Sequence, residues 1–215
     1  MLSSDQSDHP SRCAAASRRQ RSLGGGAGVS RVRTFLAVEV SSVIRSRLRA
    51  LQESLNRAGL SARWVSPESI HLTLLFLGDI DERDLNRLCR GVAEVCSHHT
   101  AFSLSVEGVG CFPNVERPRV VWAGVGEGVE ELHALHEELS DNLSEAGLYD
   151  GDVHRFHPHV TLGRVKNFAG LAAALETKTA WSAGTCRIEE VKVMASDPRP
   201  EGPIYSVLSS ANFTL

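Results

Sequence analysis

The amino-acid sequence predicts an α+β protein of two pseudo-symmetric lobes, each an antiparallel β-sheet backed by helices, with a cleft between them. The chain has 215 residues, which is long enough to bury a core of its own. Segments with the period of strands and segments with the period of amphipathic helices follow one another in a similar order in both halves. The pattern His-x-Thr-Leu occurs once in each half. Together these observations favour two similar lobes around one site.

Residues 1–30 stand apart from this order. They are rich in Ser, Arg, Ala and Gly and contain almost no large apolar side chain, so burial cannot offset the entropy of ordering them. We expect a disordered tail at 1–30 and one folded domain at 31–215. The alternatives are an organellar transit peptide, which the acidic residues Asp5 and Asp8 weaken, and a start codon assigned too early.

The first half alternates apolar strands with two amphipathic helices. A serine pair begins the first helix and Gly59 follows its end, while Gly78 and Asp79 end the most apolar strand. The predicted strands are 34–40, 62–65 and 71–77, and the predicted helices are 41–58 and 81–98.

The second half repeats this alternation and adds strands at its end. Leucines spaced by three or four residues mark the inward face of its main helix, and Gly147 ends that helix. The predicted strands are 102–109, 119–125, 159–165, 186–195 and 204–209, and the predicted helices are 129–146 and 171–177.

Composition and charge limit what the protein can bind. Hydrophobic residues make up 42% of the chain, and no apolar run reaches the ~20 residues of a membrane-spanning helix, so we expect no membrane partner. The formal net charge of -3 argues against a broad basic field for a nucleic-acid duplex. Five scattered cysteines without a C-x-x-C pair indicate neither a disulfide framework nor a zinc ribbon. We therefore expect a cytoplasmic protein that grips at most a short end of a nucleic acid.

The two His-x-Thr-Leu segments are the candidate site. Side chains at i and i+2 of a strand share a face, so His71 lies beside Thr73, and His159 lies beside Thr161. A single strand histidine is most often a satisfied core or rim side chain. Two copies of one pattern, at corresponding places in two similar halves, indicate a shared function instead. Arg164 stands at an odd distance from His159, so we expect it on the opposite face unless a bulge at Gly163 re-aims it.

Displacement at phosphorus gives a reason for two histidines. An in-line reaction needs a base for the incoming water on one side and an acid for the leaving oxygen on the other. Imidazole suits both tasks because both of its protonation states are accessible near neutrality. Threonine hydroxyls beside the imidazoles can donate hydrogen bonds to the nonbridging phosphate oxygens.

A metal site is the rival interpretation of two histidines. It calls for a third ligand, usually a carboxylate, and neither His-x-Thr-Leu segment contains Asp or Glu. We therefore expect no metal and no cofactor.

The seven other histidines are expected outside the pair. His133 and His136 are spaced as metal ligands on a helix can be, yet we place them on the solvent flank of a leucine stripe. His98 and His99 are expected to have a structural role at a helix end. His157 is either in the cleft or in the loop before it, His154 is on a surface loop and His9 is in the tail.

The paired motifs resemble those of the two-histidine (2H) phosphoesterase superfamily. The segments are His71-Leu72-Thr73-Leu74 and His159-Val160-Thr161-Leu162, together with the strand that begins Arg33-Thr34-Phe35. Trp64-Val65, Leu77-Gly78-Asp79 and Phe156-His157-Pro158-His159 are similar to the bacterial and archaeal RNA 2′,3′-cyclic phosphodiesterases, historically called 2′-5′ RNA ligases. The resemblance covers residues 33–215.

The resemblance implies hydrolysis of a 2′,3′-cyclic phosphate at an RNA 3′ end, or in a cyclic nucleotide, to a 2′-phosphomonoester. Separately, we expect a monomer. The resemblance makes His71 the proton donor and His159 the proton acceptor, with Thr73 and Thr161 on the phosphate. It also implies substrate contacts by Arg164 and by Phe35, the latter near a nucleobase. Cleavage or ligation of 2′,5′-linked RNA at the same site and nucleotide binding without turnover stay open as alternatives.

Overall fold

The computed structural model describes residues 30–152, 155–167, 175, 178, 180–200 and 202–214. The expected tail, apart from Ser30, lies outside these residues, and so do His9 and His154. The predicted helix at 171–177 also lies outside them except for Leu175.

The described residues form nine strands and three α-helices. Each predicted element within them has a counterpart, with differences at several ends. The strands are β1 (Arg31–Val38), β2 (Ser61–Trp64), β3 (Leu72–Asp81), β4 (Phe102–Phe112), β5 (Val120–Val125), β6 (His159–Asn167), β7 (Ser182–Ile188), β8 (Glu190–Asp197) and β9 (Ile204–Asn212), and the helices are α1 (Ser42–Arg57), α2 (Leu85–Cys96) and α3 (Val129–Glu145).

All nine strands belong to one antiparallel sheet. The strand order is β7-β4-β5-β6-β3-β1-β8-β9, and β2 pairs with the later part of β6, on the same edge as β3. The halves of this order correspond about an axis between β6 and β3, so that β6 matches β3 and β5 matches β1. The predicted α+β class is confirmed. The halves are not two separate sheets, because the pair Leu72↔Val160 joins β3 to β6.

The three helices supply the apolar side chains that cover the sheet. Ser41 caps α1, with its hydroxyl accepting a hydrogen bond of 3.3 Å from the Ile44 amide. Leu72 of β3 and Val160 of β6 are fully buried on the covered side. The helix residues that complete this core are Ile44, Leu48, Leu51 and Leu55 of α1, Leu88, Val92 and Val95 of α2, and Leu132, Leu135, Leu139 and Leu143 of α3.

Three predicted boundaries differ most from the structure, two of them because of strand pairing. β3 does not end at Gly78 but runs on to Asp81, because β1 continues to pair with it as far as Arg31↔Asp81. The segment after β3 begins with a 3-10 turn at Glu82–Asp84, so α2 starts at Leu85 instead of Asp81. The single strand predicted at 186–195 is two strands separated at Glu189, since β7 pairs with β4 in one half and β8 pairs with β1 in the other.

Candidate active site

The register between β3 and β6 brings the two motifs together. Leu72 pairs with Val160, and both side chains are buried beneath the sheet. Because the strands are antiparallel, the next residues along place His71 opposite Thr161 and Thr73 opposite His159. The four motif side chains therefore share the face opposite the helices, and the two imidazoles lie on a diagonal. Cross-strand diagonals of this kind span about 7–8 Å, which is room for a phosphate.

Each motif histidine is anchored in the same way. Nδ1 of His71 lies 2.8 Å from the carbonyl oxygen of Ser69, and Nδ1 of His159 lies 2.7 Å from the carbonyl oxygen of His157. A carbonyl oxygen only accepts hydrogen bonds, so Nδ1 donates in both rings. Nε2 is then the atom that gains or loses a proton, which leaves it to serve as base when neutral and as acid when protonated.

Burial favours the neutral form of both rings. Desolvation lowers the pKa of His71 from its ordinary value of 6.5, while the Ser69 carbonyl and the Glu39 carboxylate oppose that shift and Arg45 adds to it. Desolvation also lowers the pKa of His159, while the His157 carbonyl opposes that shift and the charge of the His157 imidazole adds to it to a smaller extent. The bound charge of a phosphate would raise both values, since an anion favours the imidazolium.

A β-bulge follows each motif and settles where Arg164 points. Thr161 pairs with Trp122 but Gly163 pairs with Val121, which leaves Leu162 as an extra residue in β6. The bulge returns Arg164 to the face of His159 and Thr161. Arg164 is exposed there. Burial raises the pKa of Tyr205, and the charge of Arg164 partly opposes that increase. The Tyr205 ring contacts that of His71 edge to face, with the centroids 5.2 Å apart.

The matching bulge in β3 presents an aromatic side chain. Thr73 pairs with Ala37 and Leu75 pairs with Leu36, so Leu74 is the extra residue and Phe76 takes the place that Arg164 has in β6. Phe76 is 67% exposed. The sequence patterns did not single it out, although aligning His71-Leu72-Thr73-Leu74-Leu75-Phe76 with His159-Val160-Thr161-Leu162-Gly163-Arg164 would have paired the two positions.

Buried contacts hold the bulge of β6 in place. Gln52 of α1 is 5% exposed, and its Nε2 donates to the carbonyl oxygens of Val65 and Leu162 at 2.9 Å each. The Val65 amide donates to the same Leu162 oxygen at 2.9 Å. A Cβ on Gly163 would lie 3.0 Å from the ring of Trp64, so glycine lets β2 pair this closely without displacing that ring. Gln52 is a second contributor that the sequence patterns did not indicate.

On the His71 side, aromatic rings form the floor of the site. Phe35 is 3% exposed, with its ring centroid 5.0 Å from that of His71 and 6.1 Å from that of Phe76. Phe35, predicted to lie near a nucleobase, is therefore next to the site but covered by its neighbours. Tyr205 meets Phe35 edge to face at 5.1 Å and closes this wall.

On the His159 side, Phe112, Trp122 and His157 surround the imidazole. Their ring centroids lie 5.0, 6.2 and 6.3 Å from that of His159. His157 precedes β6 and is exposed, so it is both in the loop and beside the site. Trp122 thus lies at the site, and a Cβ on Gly110 would overlap its ring. Its buried Nε1 has no hydrogen-bond partner within the described part of the chain.

The other described histidines lie elsewhere. His133 and His136 of α3 are half-buried instead of solvent-facing, because Phe156 covers them; the His136 and Phe156 rings stack at 4.2 Å beside an open pocket of about 280 Å³. His98 and His99, just after α2, link that helix to α3, because both hydrogen-bond the carboxylate of Glu138, at 2.7 and 2.9 Å.

Neither a metal cluster nor a membrane-spanning helix occurs within the described residues. No group of three or more His, Cys, Asp or Glu side chains among them is placed to hold a metal ion. None of their helices is both long and apolar enough to cross a membrane.

An antiparallel sheet that sets two His-x-Thr motifs side by side on neighbouring strands defines the class of two-histidine phosphoesterases. Residues 40–199, which include both motifs, match the model of the 2′-5′ RNA ligase superfamily. The chain belongs to this family, and the resemblance drawn from the paired motifs is confirmed.

Individual relatives agree with this assignment. A Thermotoga maritima protein named RNA 2′,3′-cyclic phosphodiesterase is 34% identical over 182 residues, covering 85% of this chain and 96% of the relative. An Archaeoglobus fulgidus protein of the same name is 37% identical, covering 82% and 98%. A solved Thermus thermophilus protein superposes with a TM-score of 0.71 at 29% identity, covering 84% and 97%. Escherichia coli LigT with 3′-AMP shares the fold, with a TM-score of 0.71 at 22% identity and coverage of 86% and 100%.

Proposed function

We propose that the chain hydrolyses 2′,3′-cyclic phosphates at RNA ends to 2′-phosphomonoesters, using His71 and His159 as an acid-base pair without a metal. The observation that carries the proposal is the register Leu72↔Val160, which puts both imidazoles and both threonine hydroxyls on one face. The names of the relatives from Thermotoga maritima and Archaeoglobus fulgidus support the substrate class.

His159 acts on the attacking water. Its Nε2 takes a proton while the water oxygen bonds to phosphorus, in line with the leaving 3′ oxygen. A base must be neutral before the reaction, and burial favours that state by lowering the pKa of His159, although the His157 carbonyl opposes the shift. The Nδ1 bond to the His157 carbonyl keeps the ring oriented while Nε2 gains the proton.

His71 acts on the leaving group. Its protonated Nε2 donates to the 3′ oxygen as the bond between phosphorus and that oxygen breaks. The product is a 3′ hydroxyl and a 2′-phosphomonoester, so the proton taken by His159 is balanced by the proton given by His71. Thr73 and Thr161, each opposite the histidine of the other strand, donate to the nonbridging oxygens as their charge rises.

Arg164 and Phe76 extend the site beyond the reacting phosphate. Arg164 contributes a cation on the same face as His159, and Phe76 offers an exposed ring on which a base can stack. Phe35 lies under His71 and Phe76 and supports them. One cation and one exposed ring beside the phosphate fit a short RNA end, in keeping with the net charge of -3.

The direct test is a substrate panel with and without EDTA. It contains RNA ending in a 2′,3′-cyclic phosphate, 2′,3′-cyclic mononucleotides and 2′,5′-linked oligonucleotides, with the product phosphate located by phosphorus NMR. We expect a 2′-phosphate from the cyclic substrates and equal rates in EDTA. A 3′-phosphate, or loss of activity in EDTA, would overturn the proposed reaction.

The family name gives a second candidate, which is cleavage or ligation of 2′,5′-linked RNA at the same face. The 2′,5′-linked members of the panel distinguish it, since a turnover faster than that of the cyclic phosphate would make it the main activity. Tight nucleotide binding without turnover would instead make the chain a binding module.

Three expectations about the whole protein stay proposals. They are a cytoplasmic location, a monomeric state and a folded domain at 31–215 behind a tail at 1–30. Fractionation of cells and sedimentation of the purified chain test the first two, and limited proteolysis that stops near residue 30 tests the third.

A further inference from the structure

The correspondence between the two halves of the sheet breaks beside the motif histidines. On one side, β5 places Gly124 directly opposite His159. On the other side, β1 pairs Val38 with Leu72, so the next residue along each chain sets Glu39 opposite His71. The same register puts Glu39 on the face of Ala37 and Thr73. The residue opposite His71 is therefore the carboxylate Glu39, whereas the residue opposite His159 is Gly124.

Arg45 holds Glu39 in this place. The guanidinium Nη2 of Arg45 lies 3.3 Å from Oε1 of Glu39, with side chains that are 27% and 39% exposed. Arg45 belongs to the first turn of α1, whose start is fixed by the Ser41 cap. The field of Glu39 reaches His71 and opposes the effect of burial on its pKa, and the opposite influence of Arg45 is the smaller of the two.

The charged groups near the two imidazoles differ, because a carboxylate acts on His71 and a second imidazole acts on His159. His71 is met by Glu39 from the end of β1, by Arg45 from α1 and by the neutral Tyr205 from β9. His159 is met by Phe112 and Trp122 from β4 and β5 and by His157 from the preceding loop. In the part of the chain that the structure describes, the charged groups acting on His159 include no carboxylate.

We infer that Glu39, held by Arg45, is a positioning residue that makes His71 the proton donor of the pair. The inference rests on the proposed acid-base reaction and adds a physical reason for its direction. A carboxylate beside His71 stabilises the imidazolium, whereas the second imidazole beside His159 destabilises it. With one negative phosphate between the two rings, the single shared proton resides on His71 and the attacking water meets a neutral His159.

The test compares Glu39→Gln with the wild type in two measurements. NMR titration of the imidazole Cε1 protons should show His71 titrating at lower pH in the variant, with His159 changed less. The alkaline limb of the kcat profile should also move to lower pH. We expect kcat near pH 8 to fall by about three- to tenfold, because a partly exposed carboxylate exerts the lower range of such effects, and kcat near pH 5.5 to change by less than about twofold.

Two variants control for a merely structural loss. Glu39→Asp keeps the charge and should restore most of the wild-type kcat near pH 8. Glu53→Gln removes a different carboxylate, one on α1 that pairs with Arg49 at the same 3.3 Å, and should leave both profiles unchanged.

The outcomes separate this inference from the proposed reaction. If the wild type hydrolyses the cyclic phosphate but Glu39→Gln leaves the His71 titration and the alkaline limb in place, the role of Glu39 is overturned. If the wild type hydrolyses nothing in the panel, the proposed reaction fails, and the NMR titration alone decides whether Glu39 biases the proton toward His71.

Discussion

At the scale of residues, the proposed chemistry depends on which nitrogen of each imidazole faces the substrate. The carbonyls of Ser69 and His157 accept from Nδ1 of His71 and His159, at 2.8 and 2.7 Å. This interaction fixes the tautomer and the ring orientation in the free protein, so little is left to arrange when the phosphate binds. Thr73 and Thr161 lie beside these histidines, so both strands present the same pair of side chains and differ in the residues around them.

Phe76 is predicted to contribute to substrate binding more than to turnover. Phe76→Ala should lower kcat/KM on RNA ends by at least about fivefold through KM, because base stacking is worth about 1–3 kcal/mol. Phe76→Trp should retain the wild-type value. Val43→Ala, which removes an apolar side chain of α1 that is 58% exposed, is the matched control. An unchanged KM in Phe76→Ala would place the base elsewhere.

Arg164 is predicted to bind the phosphate by charge. Arg164→Gln should raise the inhibition constant of inorganic phosphate by about tenfold or more, since a hydrogen bond to a charged group is worth about 1.5–3 kcal/mol. Arg57→Gln removes an exposed arginine at the end of α1 and should leave the constant unchanged. Equal inhibition of Arg164→Gln and the wild type would show that the bulge does not bring this cation to the phosphate.

The shared face of the histidines and threonines could be predicted from the sequence because strand parity and duplication are visible in it. Phe76 and the position of Arg164 could not, because both depend on an extra residue in each strand, at Leu74 and at Leu162. A bulge shifts the alternation of faces by one, and the apolar runs at these places conceal the shift. Phe35 was identified as a neighbour of the site, but its burial depends on rings contributed by other strands.

At the scale of elements, a buried amide links α1 to the strand that carries His159. Gln52 reaches the carbonyl oxygens of Val65 in the segment after β2 and of Leu162 in the bulge of β6. The helix thus satisfies backbone groups that a regular ladder would have paired. The ends of strands were the least predictable feature, because they follow from partners in the sheet. No turn signal interrupts the 186–195 segment, and only pairing to both halves of the sheet divides it at Glu189.

Gln52 is predicted to stabilise the fold and to keep Arg164 in place. Gln52→Leu should lower the free energy of unfolding by about 1–3 kcal/mol, because it leaves buried carbonyl groups with fewer donors. Urea unfolding measures this change, and Glu53→Leu, the same replacement at the exposed next position, should stay within about 0.5 kcal/mol of the wild type. A Gln52→Leu protein as stable as the wild type would show that other groups hold the bulge.

At the scale of the whole molecule, the two halves of the sheet repeat the same features but differ beside the two histidines, where the proposed direction of proton transfer is set. The two halves meet at Leu72↔Val160, repeat the carbonyl anchor and repeat the bulge. They differ in what surrounds each histidine. The recurrence of His-x-Thr-Leu predicted two similar halves, but the sequence did not indicate that one continuous sheet would contain them, because the joining pair involves ordinary apolar residues.

The site should make the fold sensitive to acid. The native pKa values of His71 and His159 lie below the ordinary 6.5 because the rings are buried. Between those values and 6.5 the unfolded chain binds more protons than the native one, so the free energy of unfolding should fall as the pH drops below about 6.5 and should be unaffected by these rings above it. Urea unfolding of the wild type and of the double variant His71→Gln/His159→Gln measures this, and an equally steep fall in both would contradict it.

The central claim is that two imidazoles on one face of one sheet divide the proton transfers of a single displacement. The most direct measurement is the rate of hydrolysis of an RNA 2′,3′-cyclic phosphate by His71→Ala, His159→Ala and the double variant, with His98→Ala as the control. We predict that each single change lowers kcat by about 10²–10⁴-fold, with the double variant little slower than either, because the two groups act as one unit. A single variant that retains the rate of the wild type would contradict the account.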